Sequence, residues 1–403
     1  MKDFRRFHPI AWAVLIGTVF VTIAKTMSVP FLAIYLSQQT DLSPGMIGMV
    51  IGLGPLASTV GGLIGGTLSD RFGRKTVMII SLFGMSLVFV GYSYTVHPVL
   101  LALLSIANGL CGSFFDPVSK ALLADVTEKE LRVRIFSLHY LSINVGHAIG
   151  PLIGAGAGLS GGVSPFLITA IVYFLYPIVL LGMLNRFGVK RIETEETGRV
   201  ALFASLRVLT RDRALKWLVL GGVLSMTVHG QMSVTLSQHL EQSMPNAVWL
   251  FSVLLSVNSL VVIIGQVPLG RWVEKKEPLT GVLGGSILLA VGEVGFAFSS
   301  GWAAYMLSMI LFTIGEVLLV PSEYALIDRI TPEGMRGTYY GGVTLSNLGN
   351  FLGPWVGSMV LGAFGGTAMF LMYGLIALVG IFFYRRGLLA YHTKTEKGSV
   401  GLG

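Results

Sequence analysis

Six ionisable side chains stand inside otherwise apolar stretches of this chain: Lys25, Asp116, Lys120, Glu293, Glu316 and Glu323. Insertion scales put a charge at the centre of a membrane-spanning helix at roughly 2.5–3.5 kcal/mol, and such residues mark ion and substrate paths. Each therefore needs a partner, a proton or water. Asp116 and Lys120 are spaced i, i+4 and can pair on one helix face. Glu316 and Glu323 are seven apart and also share a face, but no basic residue lies within four positions of Glu316. Glu316 is thus the first candidate for proton coupling and Asp116 the second, followed by Glu323 and His139. His139, His147 and His229 carry the one side chain that titrates near neutral pH in water, although a lone membrane histidine also serves as a hydrogen-bonded packing group. Glu293 fits either packing or access from the lipid side.

Other chemistries are excluded. Residues 158–162 match a nucleophile-elbow string and residues 156–161 a dinucleotide string, but both require a strand–turn–helix context. Here they end an apolar helical run. No phosphate-binding motif for ATP is present, and no cysteine or histidine cluster has zinc spacing. The single cysteine, Cys111, excludes an internal disulfide. The chain is expected to be no enzyme and to need neither metal nor cofactor.

The elements that position these residues are membrane helices. Of 403 residues, 53% are hydrophobic and 12% charged, with a mean hydropathy of +0.76; soluble domains average roughly 25% charged residues. Apolar runs of about 20 residues recur along the whole length, enough for about twelve crossings. They fall at 10–37, 44–69, 75–95, 98–126, 133–159, 163–186, 214–240, 247–272, 278–299, 302–329, 337–363 and 366–386. The first follows Lys2, Arg5 and Arg6 and extends to Leu36, longer than the roughly 7–15 residues of a signal-peptide core. It reads as a spanning helix.

The formal charge of +8 raises the question of nucleic acid, and its distribution answers it. All of the 28 Lys and Arg except Lys25 and Lys120 lie at the amino terminus, in alternate loops or in the carboxyl tail. This positive-inside pattern places both termini in the cytoplasm of a multi-pass protein of the cell membrane.

The chain is also a repeat. Asn144-x-Gly146-x-x-x-Gly150-Pro151-x-x-Gly154 returns as Asn347-x-Gly349-x-x-x-Gly353-Pro354-x-x-Gly357, 203 residues on, and the same offset relates Asp125 to Asp328. Two like membrane halves are the build of secondary transporters, which bind substrate near the midplane at the repeat interface. The longest polar break divides the chain into a bundle at 1–188, a cytoplasmic linker at 189–213 with a short amphipathic helix near 200–209, a second bundle at 214–388 and a tail at 389–403.

The segment Gly66-Thr67-Leu68-Ser69-Asp70-Arg71-Phe72-Gly73-Arg74-Lys75 resembles the signature of the major facilitator superfamily. The Gly146, Gly150, Pro151 and Gly154 motif resembles that of its drug:proton antiporter branch. Phe115-Asp116-Pro117, Gly315-Glu316 and Pro321-Ser322 are similar to twelve-helix multidrug efflux members of the MdtH and LmrP type. Two departures are visible. Ser105 stands where many of these antiporters have arginine, and His139 where LmrP-like members carry aspartate.

The resemblance implies an all-α membrane protein with twelve helices in two six-helix bundles. It implies a cavity lined by helices 1, 4, 7 and 10, with Lys25, Phe115, Met226, His229 and Phe312 on it beside Asp116 and Glu316. It implies a cytoplasmic gate of Gly66, Asp70, Arg71, Gly73, Arg74 and Asp125, with Asp70 at the amino end of helix 11 and Arg74 paired to Asp125. The helix-5 motif is expected to lie against helix 8, since small residues every fourth position allow close approach. The implied activity is export of lipophilic cations in exchange for protons. Lys25 opposes a cationic substrate unless it is paired. The alternatives are proton-coupled transport of one specific small solute, or a sensor on a transporter fold. The expected partners are a small-molecule substrate, protons and the lipid bilayer, with no nucleic acid, and the protein is expected to act as a monomer.

Overall fold

The computed structural model describes the backbone of residues 7–128, 131–157, 163–187, 208, 210–332 and 335–400; the side chains of 63–71, 74, 133, 336–338 and 394–400 lie outside that description. The described residues are helical and contain no strand. In chain order the helices are α1 (Pro9–Ser28), α2 (Leu32–Gln39), α3 (Pro44–Phe72), α4 (Arg74–Tyr94), α5 (Pro98–Asp125), α6 (Arg132–Gly156) and α7 (Ser164–Arg186). There follow α8 (Arg213–Gly230), α9 (Thr235–Ser243), α10 (Ala247–Glu274), α11 (Pro278–Phe298), α12 (Trp302–Ile330), α13 (Arg336–Val343) and α14 (Gly349–Val400). Nine described segments are long and apolar enough to cross a membrane. One of these, Tyr339–Thr393, is divided at Gly365, whose φ of 82° lies in the left-handed region that glycine adopts without steric cost. The amphipathic helix expected near 200–209 falls largely outside the described residues.

The helix starts follow local chemistry. Pro lies in the first turn of α1, α3, α5, α7 and α11, where its missing N–H costs nothing and its fixed φ suits the helix. Asp212 Oδ1 caps α8 by accepting from the backbone N–H of Ala214 (2.9 Å) and Leu215 (3.1 Å). Its Oδ2 accepts from the Tyr339 hydroxyl at 2.8 Å. Gly73, at φ 84°, makes the turn between α3 and α4.

Three crossings expected to be continuous are interrupted. A 3-10 turn at Val29–Phe31, which carries Pro30, separates α1 from α2. Residues 231–234 leave the helix between α8 and α9. A second 3-10 turn at Thr344–Leu348 precedes α14. The first two breaks occupy equivalent places in the repeat, so each half opens its first crossing at the same level.

The chain divides into two compact units, 1–198 with 236–259, and 199–235 with 260–403. The first unit has an aromatic core in which Phe89 stacks on Tyr173 with ring centroids 5.5 Å apart. It includes residues 236–259, held there by Phe31 against Phe251 (5.5 Å) and by Ser256 Oγ donating to the Ala148 carbonyl at 2.7 Å. Glu241 of α9 accepts from Gln38 Nε2 at 2.9 Å and from the Ser37 hydroxyl. The second unit is centred on Phe296, packed against Tyr305, Phe312 and Phe370.

Candidate functional site

The acids of the second unit are ordered by antiparallel packing of α12 against α8. Glu316 and Glu323 are two turns apart on α12, and His229 and Gly222 are two turns apart on α8. His229 Nδ1 stands 3.6 Å from Glu316 Oε1, and both side chains are part-exposed at 40% and 21%. The basic partner that sequence spacing could not supply to Glu316 therefore comes from another helix. A pair at this distance and exposure keeps access to water and to a ligand.

Glu323 occupies a different setting. It is 6% exposed and lies against Gly222, whose missing side chain makes room for Glu323 Oε1 and Ser346 Oγ. The Tyr384 hydroxyl is hydrogen-bonded to Glu323 and stands 3.0 Å from Ser225 Oγ. This is a closed network joining α8, α12 and α14 rather than a group on an open surface.

In the first unit, α5 and α6 bring Asp116, Lys120 and His139 into one electrostatic group. The i, i+4 pairing of Asp116 with Lys120 is not formed: both side chains are exposed, and no ion pair joins them among the described residues. Exposed ion pairs contribute only about 0–1 kcal/mol, so two solvated heads have little reason to close. His139 is 8% exposed. Lys25 on α1 is half-buried and close enough to His147 on α6 to act on its charge. A second cluster in this unit therefore joins a cation to a titratable imidazole.

The cavity residues divide. Met226 is half-buried, with its Sδ 4.0 Å from Asn350 Nδ2. Phe115 is half-buried and meets Tyr176 edge-on at 6.5 Å. Phe312, expected to face the cavity, is fully buried against Phe296 and beneath Gly292. The lack of a side chain at Gly292 lets α11 approach the backbone of α12 at Phe312, and the ring is packed against Phe296 rather than facing a cavity.

The glycines of the helix-5 motif pack on α1: Gly146 and Gly150 face Thr22, Ile23 and Thr26, and the Thr26 hydroxyl donates to the Gly146 carbonyl at 3.0 Å. Within the same motif, the Ala148 carbonyl accepts from Ser256 of α10, the helix-8 segment, and Gly156 beyond it faces Trp249. Pro151 and Gly154 are buried in the same helix. The second copy does the equivalent work: Gly349 and Gly353 lie on the backbone of Val223, Met226 and Thr227 of α8 and of Gln231 just beyond it. Each copy thus seats its helix on the first crossing of its own half.

At the expected cytoplasmic gate, Gly73 has the turn geometry described above, and Asp125 ends α5 as an exposed, engaged side chain. The side chains of Gly66, Asp70, Arg71 and Arg74 lie outside the described residues. Among the described residues, no cluster of His, Cys, Asp and Glu could hold a metal ion.

The family model described as Major Facilitator Superfamily matches residues 14–347 and 251–400. The chain is 35% identical to the Uncharacterized MFS-type transporter YqjV of Bacillus subtilis, over 91% of this chain and 89% of that one. It is 26% identical to a Na(+), Li(+), K(+)/H(+) antiporter of Planococcus maritimus, over 95% and 96% of the two chains. It is 23% identical to Multidrug resistance protein MdtH of Aeromonas hydrophila, over 90% and 94%. With its all-helical apolar build and its duplicated glycine motif, the chain belongs to the Major Facilitator Superfamily and is a membrane transporter, not an enzyme.

Proposed function

We propose that the protein exports lipophilic cations in exchange for protons by alternating access. The observation that carries this reading is the part-exposed pair of His229 and Glu316 at 3.6 Å. A carboxylate beside half-buried apolar side chains such as Met226 suits a cation with an apolar body. Protonation of that carboxyl weakens the attraction and favours release, which is the differential affinity that coupling requires. The MdtH relative supports the drug reading and the Planococcus antiporter supports exchange with protons.

The Planococcus relative also favours a second reading, exchange of a small inorganic cation for protons. Lys25 beside His147 adds positive charge to the first unit and favours neither. Purified protein in liposomes with an internal pH dye separates the two. Addition of a lipophilic monocation is expected to move protons, and addition of Na+ or K+ salts is expected to move none. The reverse pattern establishes the second reading, and silence to both rejects proton coupling.

The proposed topology has twelve crossings in the cell membrane, both termini cytoplasmic, and a monomeric protein. In a Cys111→Ala background, a cysteine at Asp41 is expected to react with an impermeant maleimide from outside intact cells, and one at Arg199 only after lysis. Labelling of position 199 from outside would overturn this orientation.

A further inference from the structure

Glu293 takes no part in the site above, yet it is an acid with no exposed surface at all. It lies on α11, five residues before Phe298. Its Oε1 accepts from Gln231 Nε2 at 2.8 Å. Its Oε2 is buried and has no hydrogen-bond partner among the described residues.

Gln231 is equally buried and is the first residue past the end of α8. Its side-chain Oε1 accepts from Thr235 Oγ1 at 2.6 Å. Its backbone carbonyl accepts from the N–H of Val234 (3.0 Å) and Thr235 (2.9 Å). One residue therefore ties together both sides of the break at 231–234, and its amide is aimed by Glu293. On the far side, the Tyr373 phenol donates to the Gly353 carbonyl at 2.7 Å and neighbours both Thr235 and Glu293.

We propose that Glu293 is a second proton-binding site and that its protonation state sets the geometry of the break between α8 and α9. With a proton on Oε2, the group is a neutral acid and fits a dry site that offers a single amide donor. Without it, the same pocket holds a charge with one N–H and no cation among the described residues, which is costly. Relief requires a rearrangement that brings donors to Oε2, and Gln231, already bonded to Oε1, joins it to the break. Deprotonation breaks the Oε2–H bond and passes the proton to water; re-protonation reverses it.

The other titratable groups around this network are few. His229 lies two residues before Gln231 and faces Glu316 of α12 on the part-exposed side, and Tyr373 is the group on α14. α11 itself carries no other charged residue. The inference rests on the proton-coupled reading only in that the protein exchanges protons, and its test needs no substrate.

The test uses the full chain in phospholipid nanodiscs. Infrared difference spectra between acidic and alkaline buffer report the carbonyl band of a buried protonated carboxyl. Spin labels at Leu220 and Ser243, in a Cys111→Ala background, report the distance across the break. Wild type is expected to lose the band and shift the label distance as the buffer becomes alkaline. Glu293→Gln is expected to lack the band and to hold one distance throughout, whereas Glu316→Gln keeps both responses. Gln231→Leu retains the acid but cuts its link, so the band should titrate while the distance no longer responds. A band that survives in Glu293→Gln, or that vanishes in Glu316→Gln instead, overturns the site. A distance shift that persists in Glu293→Gln overturns the link to the break. Absence of substrate-driven proton flux in wild type would reject the proton-coupled reading without altering either the band or the distance response.

Discussion

Glu316→Gln is expected to abolish substrate-stimulated proton movement in liposomes and to weaken monocation binding about tenfold, which corresponds to about 1.4 kcal/mol. Neutral substrates should bind as before. The substitution keeps the shape of the side chain and removes only its charge and its proton. Glu316 stands 3.6 Å from His229 Nδ1 and is part-exposed, so both an ion and water reach it. His229→Gln should also impair coupling, because it withdraws the group that shares the charge. If the two act as one unit, the double variant should be no worse than Glu316→Gln alone. Fully additive losses would show two independent groups. Wild-type proton stoichiometry in Glu316→Gln would sink the assignment and move the role to Asp116, Glu323 or His139.

Much of this arrangement is legible in the sequence, because membrane burial makes charge informative. An acid in an apolar run needs a compensating group, and Glu316 has one in the structure. The seven-residue spacing of Glu316 and Glu323 correctly places both on the face towards α8. Which group compensates each acid is not legible, since His229 and Tyr384 approach from other helices. Nor does spacing distinguish an open face from a sealed one. Phe312 and Glu323 have the periodicity of lining residues but are buried, Phe312 against Phe296 and Glu323 against Gly222, by groups that approach from other helices. The break after Gly230 leaves only that glycine as a signal, and a lone glycine is common within membrane helices. The α1 partner of the motif's glycines is not legible for a related reason: small residues announce a close contact without saying with which helix.

The duplicated motif yields the second large effect. A methyl group at Gly349 would meet the Val223 carbonyl, the Thr227 nitrogen and the Met226 carbonyl carbon, all backbone atoms of α8. Backbone cannot rotate away as a side chain can, so α14 would have to lift off α8. Gly349→Ala is therefore expected to destabilise the protein by about 1–3 kcal/mol, the usual range for overpacking, and Gly349→Val by more. Gly146→Ala in the first copy meets mainly the Thr22 side chain, with Cβ at 2.5 Å and Cγ2 at 2.7 Å. A rotamer change moves Cγ2 but not Cβ; the three contacts, at 2.5–3.1 Å, are nevertheless longer than the three at Gly349, so its loss should be smaller. Gly182, with nothing within 4 Å of an added Cβ, is the control. Alanine there should be neutral or stabilising by up to about 0.5–1 kcal/mol, since glycine weakens a helix interior by that amount. Thermal unfolding in detergent, read beside membrane yield, ranks the variants. The expected order of stability is Gly182→Ala, Gly146→Ala, Gly349→Ala. Equal stability of Gly349→Ala and Gly182→Ala would show that the second copy bears no close helix contact. The order has a functional consequence, because residues 223–227 lead directly into His229. The folded fraction of Gly349→Ala should show impaired proton coupling, because separating α14 from α8 disturbs the helix that holds His229 beside Glu316.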